Sequence, residues 1–489
     1  MNSYQSIFQE ILNEIIPTQS ELDLIDFIVK EIRELLQARA KELHIEYTQI
    51  EPQGSTGIKQ TQLRNDFDID LFVGLNYDSY REKYEGLSKN KFKNESKKDF
   101  LYLCNEWIIE ALKDNRFENS RLLYAEHPYV SLDYLTESHD KIKIDVVLYF
   151  DLSLEYIKKN GPVTAVDRSP WHGRFVKENL TMDQKNDVRL LKQFFKACHS
   201  YGDKSAVGMV GFIGYSAELL IYHYETVLKV LKDFKNLPHN PLDYYQRTKK
   251  QLNKIKHFTN DFLIIVDPID ENRNVASAIS EKAYRYCNFQ VQQFLKHPKK
   301  EAFVINPIKV PDLSDQTDPL LSKIFLMEFE NTDPERHYTI NRDKLYSLGD
   351  SIKAHAEKEF SHQERFGTIY FEVYFEHTQN EYNLALYCQK PKISETFTRR
   401  GPPLKAKKHV DRFKEKNPDF YEKDGFLWVE TQRSHFLFLN FLREFIEDKI
   451  PENLKIVNIS SSFGATTKSG KRSITVLKDM VLPFYSNQK

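Results

Sequence analysis

Two aspartates flank a single isoleucine in "RNDFDIDLFVGL" (64–75), at the head of an apolar run. If that run is a strand, Asp68 and Asp70 share one face, about 6.6–6.8 Å apart along it. Carboxylates so placed repel and raise one another's pKa unless a cation holds them. A divalent metal answers that need: Mg²⁺ takes hard oxygen ligands and phosphate oxygens, and a pair of ions about 3.5–4 Å apart would satisfy both acids. Asp145 is the natural third ligand, because it interrupts the otherwise core-like "KIKIDVVLYFDLS" (141–153), where a carboxylate needs a partner or a place facing a cleft. Ahead of the pair lies "GSTGIKQTQLR" (54–64). There Gly54 permits close backbone approach, and Ser55 offers a hydroxyl and an N–H at the start of a helix-like segment, a setting that binds phosphate. Each acid has a plainer use, as a helix cap or as the partner of a lysine or arginine.

The elements that position these residues belong to a large chain. Its 489 residues imply three or four domains, and 40% hydrophobic with 13% aromatic residues supply real cores. No apolar run approaches the ~18–20 residues of a membrane helix, and "MNSYQSIFQEILNEI" lacks the form of a signal peptide. Cys104, Cys198, Cys287 and Cys388 lie far apart and fit reduced thiols, so a cytoplasmic setting is expected. A formal net charge of −1 argues against indiscriminate coating of nucleic acid, yet leaves room for a local basic groove.

Thr18 and Glu21 have capping-box spacing ahead of an apolar stripe from Ile25 to Leu36. Lysine-rich 84–99 reads as a solvated loop before a helix at about 97–115. Residues 166–290 read as mostly helical, with one long helix over 214–235. Arg189, Lys192 and Lys196 share a helix face opposite Leu191, Phe194, Phe195 and Cys198. Alternation in "GTIYFEVYFEH" marks a half-buried strand with "YNLALYCQ" as its hairpin partner, and "YEKDGFLWVE" turns at Asp424-Gly425.

Gly-Ser, D-x-D and a later lone aspartate together resemble the polymerase-beta-like nucleotidyltransferases. "AEHPYV" (125–130), "AVDRSPWH" (165–172), "DVRLLKQFFKACHSYG" (187–202), "GFIGYSAELLI" (211–221) and "DPIDENRNVA" (267–276) follow in order, with "RRGPPLKAKKHVDRFKEKN" and "DGFLWVETQR" beyond. This series resembles the archaeal (class I) CCA-adding tRNA nucleotidyltransferases over most of the chain. The resemblance implies an α+β, multidomain enzyme: a catalytic head (1–165), a helical nucleotide-binding neck (166–290), an α+β body (291–395), and a tail returning to the body and binding tRNA (396–489). It implies template-independent addition of C, C and A to tRNA lacking part or all of its 3′ CCA, from CTP and ATP with Mg²⁺, and by analogy a homodimer.

Carried over, Asp68, Asp70 and Asp145 are the catalytic metal carboxylates, with Asp145 also helping to deprotonate the primer 3′-OH. His172, Lys192 and Tyr201 hold the triphosphate, Ser55 touches it, Gly54 and Arg64 complete the nucleotide-binding set, Arg273 reads the incoming base, and His127 lies near the primer end. For RNA, Arg399, Arg400, Lys405, Lys407, Lys408, Arg412, Lys414 and Lys416 form the densest basic candidate, the first five being the proposed contacts, and "TTKSGKRS" (466–473) is a second. The bland rivals are a solvated Lys192, loop histidines at 127 and 172, a helix-end Tyr201 beside Gly202, and a plain turn at 267–274. Two features depart from the family pattern: one extra residue between Gly54-Ser55 and Asp68, and Asn65 where many members carry glycine. A poly(A)- or oligoadenylate-type transferase and a non-catalytic tRNA-binding module are the alternative readings.

Overall fold

The computed structural model describes residues 3–124, 127–334, 336–359, 363–376 and 380–485. The chain divides into two compact units, each taken by itself: Met1–Cys198 with Phe212–Ile279 and Asn288–Ile305, and His199–Gly211 with Ser280–Cys287 and Asn306–Lys489.

The first unit is built on β1 (Gln49–Gln53), β2 (Ile69–Leu75), β3 (Phe117–Tyr124), β4 (Pro128–Leu135) and β5 (Lys141–Phe150), in sheet order β1-β2-β5-β4-β3. Only β2 and β5 run parallel, and their register places Asp70 opposite Asp145. Period-two alternation then sorts the side chains. Ile69, Leu71 and Val73 of β2 and Ile144, Val146 and Leu148 of β5 enter a core with the stripe of α2 (Gln19–Leu43), while Asp70, Phe72, Asp145 and Val147 face the other way. The Thr18–Glu21 capping box starts α2, after α1 (Ser3–Ile15).

Lysine-rich 84–99 is not a loop. After α3 (Tyr77–Tyr84), α4 (Lys89–Leu103) begins at Ser88 and runs into a π-type stretch, Cys104–Ile109. Phe100, Leu103, Cys104 and Trp107 supply the buried face, and the lysines occupy the wet one. Helices α5 (Leu154–Asn160), α6 (Ser169–Asn179) and α7 (Met182–Ala197) follow. The expected single helix at 214–235 is two, α8 (Gly214–Tyr224) and α9 (Val227–Asp233), broken where Glu225 takes φ +70° and Thr226 caps the second. Beyond a short α10 (Lys249–Leu252), β6 (Val266–Asp267) and β7 (Asp270–Asn274) pair antiparallel.

Helix α11 (Glu281–Lys296) contributes to both units. In the second unit, β8 (Ile324–Asn331), β9 (Ile369–Glu376), β10 (Glu381–Cys388) and a late β14 (Leu454–Ser461) form an antiparallel sheet ordered β14-β8-β10-β9, so the predicted β9/β10 hairpin is present. Helices α12 (Tyr338–Glu357) and α14 (Phe438–Phe445) pack on it through Leu345, Ile352, Phe438 and Leu442. A smaller sheet joins β11 (Thr396–Pro403), β12 (Tyr421–Lys423) and β13 (Phe426–Gln432), with α13 (Lys407–Lys416) alongside. Asp424 and Gly425 both have positive φ in the β12–β13 turn, as a two-residue hairpin requires. All four cysteines are buried thiols, and among the described residues no helix is long and apolar enough to cross a membrane.

Candidate active site

The polar face of the first sheet opens on a cavity of about 470 Å³, with Asp70 and Asp145 on its floor and Gly54, Lys59, His127 and His172 in its wall. Asp70 is half-buried. Burial, then the nearby Asp145 and Asp68, push its carboxyl up to about 6 against the pull of Lys143 and Lys59. Asp145 Oδ2 accepts from Lys143 Nζ at 2.7 Å, while its buried Oδ1 has no hydrogen-bond partner. Asp68 is exposed at the mouth of β2, and its carbonyl accepts from the Thr56 hydroxyl at 2.5 Å.

The turn over these acids is shaped for them. Gly54 has φ +67°, and a Cβ there would stand 2.2 Å from Asp70 Oδ2. The expected helix start at Ser55 is absent. Residues 54–59 form successive turns closed by Gly57 N–H to Gln53 O (3.0 Å) and Thr61 N–H to Ser55 O (2.9 Å). Asn65 adopts φ +58°, the left-handed conformation that glycine takes freely and asparagine tolerates, which accounts for the exchange at this position. Arg64 is anchored away from the acids: its Nε donates to Ile16 O at 2.7 Å.

The basic face of α7 is not solvated. Arg189 donates to the carbonyls of Gln60 (2.8 Å) and Gln62 (2.9 Å), Lys192 to that of Thr61 (3.1 Å), and Lys196 pairs with Asp66. Three successive carbonyls with no ladder partners thus find charged donors. Lys192 is only 3% exposed, and burial lowers its ammonium to about 8. Glu218 of α8 joins the cluster, with Oε2 2.7 Å from Lys59 Nζ, and Oε1 2.7 Å from the Thr61 hydroxyl and 3.4 Å from Lys192 Nζ.

A second buried carboxylate gathers His172, Tyr215 and Arg273. Asp267, 0% exposed, accepts from His172 Nε2 (2.8 Å), Arg273 Nη1 (2.8 Å) and the Tyr215 hydroxyl (3.1 Å). Burial alone would raise its carboxyl, but His172 and Arg273 outweigh that and hold it at about 2. Burial lowers His172, which packs on Tyr215 with centroids 4.2 Å apart. His127 is buried against Phe100, donates to Leu148 O at 2.6 Å, and is lowered by burial to about 4.

The structure therefore brings Asp70, Asp145, Gly54, His127 and His172 to one cavity, with Lys192 and Arg273 tied into the networks behind it. Tyr201 lies half-buried in the second unit, ahead of the turn Gly202–Lys204. Also in that unit, Lys405, Lys407 and Lys408 are exposed, Arg400 lies 4.8 Å over Phe426, and Arg399 stacks at 5.4 Å on Phe413 while donating to Asn417. The second basic stretch, 466–473, is largely structural. Ser469, Gly470 and Ser473 are buried, Arg472 pairs with Glu376, and Thr466 and Thr467 donate to the buried Glu328. Sequence reasoning missed Lys59, Glu218 and Asp267. Only Lys59 carried a local signal, as the one cation inside the Gly-Ser turn.

For a metal ion, the donors fit in kind. Asp70 and Asp145 are register partners, Asp68 adds charge at the rim, burial and then the neighbouring carboxylates raise the Asp70 carboxyl, a cost that a cation would relieve, and Asp145 Oδ1 is an unused buried acceptor. Among the described residues no three such side chains converge into a closed coordination set as they stand.

The sequence profile of the family described as "tRNA nucleotidyltransferase, second domain" matches residues 186–304, the span holding Lys192, Glu218, Asp267 and Arg273. The CCA-adding enzyme of Methanocaldococcus jannaschii is 27% identical over 476 residues, covering 94% of this chain and 96% of that one. The chain is a relative of the archaeal CCA-adding enzymes. The CCA-adding enzyme of Methanococcus maripaludis is 29% identical over 86% of this chain and 87% of its own, and that of Saccharolobus solfataricus 28% over 88% and 89%. Among solved structures, that of Cid1, an RNA terminal uridylyl transferase, overlays 64% of this chain and all of its own with a TM-score of 0.46 at 14% identity.

Proposed function

We infer that this chain is a CCA-adding tRNA nucleotidyltransferase, extending the tRNA 3′ end by C, C and A from CTP and ATP with release of pyrophosphate. The observation that carries the reading is similarity along nearly all of the chain, 94% of it against 96% of the Methanocaldococcus jannaschii enzyme.

At each addition the primer 3′-oxygen bonds to the α-phosphorus while the bond from that phosphorus to the pyrophosphate oxygen breaks, so catalysis is mainly positioning and charge neutralisation. Asp68, Asp70 and Asp145 are the proposed holders of Mg²⁺, which when bound supplies Lewis-acid stabilisation to the attacking and leaving oxygens. Asp145 Oδ1, buried and unpartnered, is the proposed acceptor for the hydroxyl proton. Gly54 brings its backbone close against Asp70, and Ser55, His172, Lys192 and Tyr201 are the proposed triphosphate residues; Arg64, tied to the carbonyl of Ile16, is not among them. Arg273, its guanidinium fixed by Asp267, is proposed to read the base, a task suited to a planar fork of donors. His127 is proposed to lie near the primer end. Arg399, Arg400, Lys405, Lys407 and Lys408 are the proposed tRNA contacts; a stem bound through backbone and shape suits an enzyme that accepts every tRNA.

The test is incorporation on a tRNA transcript lacking CCA. CTP alone should add two residues and stop, and ATP should then add one. A long adenylate tail from ATP alone would identify a poly(A)-type transferase instead. Asp68→Ala and Asp145→Ala should abolish incorporation while tRNA binding persists.

A further inference from the structure

Lys59 is the one cation in the wall of the Asp70–Asp145 cavity among the described residues, and it does not stand alone. Its side chain is buried, its Nζ lies 4.7 Å over the ring of Tyr215, and its ammonium is held 2.7 Å from Glu218 Oε2. Glu218 is 1% exposed and comes from α8, 159 residues further along the chain. Its other oxygen takes the Thr61 hydroxyl at 2.7 Å, and that hydroxyl in turn accepts from Lys192 at 2.9 Å. One buried carboxylate thus lies between two buried ammonium groups, Lys59 at the cavity wall and Lys192 behind it, so the trio keeps a net positive charge. A lysine side chain has four rotatable bonds and no preferred direction of its own. Here its direction is imposed from α8.

We propose that Glu218 is a positioning residue that fixes the Lys59 ammonium at the cavity wall, where it meets the phosphates of the incoming nucleoside triphosphate. This rests on the nucleotidyltransferase reading above. The geometry favours positioning over plain packing because Glu218 spends one oxygen on the cavity lysine and the other on the turn that carries it. Charge and backbone are set together.

The test is a double-mutant cycle read by calorimetric binding of CTP with Mg²⁺ to the full chain, with thermal melts to confirm folding. Lys59→Ala and Glu218→Gln should each weaken CTP by about tenfold, and the double variant should bind no more weakly than Lys59→Ala alone, because coupled neighbours are non-additive. Steady-state incorporation should place the loss in KM for CTP rather than in kcat. A merely structural Glu218 would lower the melting midpoint and give losses that multiply to about a hundredfold. That result, or Glu218→Gln binding CTP within twofold of wild type, overturns the proposal. If wild type binds CTP but adds nothing to tRNA, the functional reading fails, while the binding cycle still decides the role of Glu218. If wild type binds no CTP, both fall.

Discussion

Asp70→Asn should make the protein more stable while destroying its activity. The carboxyl of Asp70 moves from 3.8 to about 6 on folding, because burial and the charges of Asp145 and Asp68 oppose its ionised form. That shift corresponds to about 3 kcal/mol of strain carried by the native state once the group is ionised. The sign follows from proton counting. Between pH 4 and 6 the folded protein binds more protons at this residue than the unfolded chain, so stability is lost as pH rises through about 6. Asparagine keeps the shape and cannot ionise. The variant should therefore match wild type near pH 4 and exceed it above pH 6. At about 2 °C per kcal/mol for a unit of this size, the midpoint should rise by about 6 °C at pH 8 in chelator. Thermal melts followed by circular dichroism across pH 4–8 would measure this. Added Mg²⁺ should then close the gap by stabilising wild type alone. A variant that melts below wild type at pH 8 without metal, or a gap that does not change with pH, would refute the electrostatic account of the site.

Gly54→Ala should abolish incorporation, by about a hundredfold or more, in a folded protein, since its Cβ would stand 2.2 Å from Asp70 Oδ2 at a φ of +67°; near-normal activity would show that the turn is free to move. Alanine at Lys405, Lys407 or Lys408 should each reduce the slope of log affinity for tRNA against log salt by about 0.7–0.9, as phosphate contacts do, measured by filter binding over a salt series; an unchanged slope removes that lysine from the interface. Glu328→Gln should destabilise the second unit by about 2–3 kcal/mol, because a buried carboxylate accepts from the amides of Thr466 and Thr467, both their hydroxyls, and Asn458. These bonds outweigh burial and keep the Glu328 carboxyl below its usual range, so its contribution should be lost as pH falls through that lowered value; denaturant melts at pH 7 and pH 3 would show a mutational gap that shrinks with acid.

Much of this site is carried by local pattern. Alternation through 69–75 and 141–150 fixed which residues face away from the core, and Asp70 and Asp145 fall opposite one another because two such strands pair in parallel. The Asp424-Gly425 turn and the Thr18–Glu21 cap were equally readable, since each is set by residues a few positions apart. The solvated rival for Lys192 fails because binary patterning assigns charge to solvent, while the fold buries this face of α7. The residues that use that charge are the bare carbonyls of 60–62, more than 120 positions away. Glu218 and Asp267 were invisible for the same reason: each is defined by partners that only the folded chain brings near. Lysines misassigned 84–99 as a loop, though the apolar positions Phe92, Phe100 and Leu103 follow helical spacing within that stretch and just beyond it.

The junction between α1 and α2 is also bound to the loop that leads into β2. Glu21 Oε2 caps α2 through the Thr18 amide, while Oε1 receives the amide of Asn65, and the Arg64 amide and guanidinium take the carbonyls of Ile15 and Ile16. Residues 3–21 thus act as a buttress for a loop far from them in sequence. Trimming them would leave every aspartate in place and still unseat the platform from which those carboxylates work.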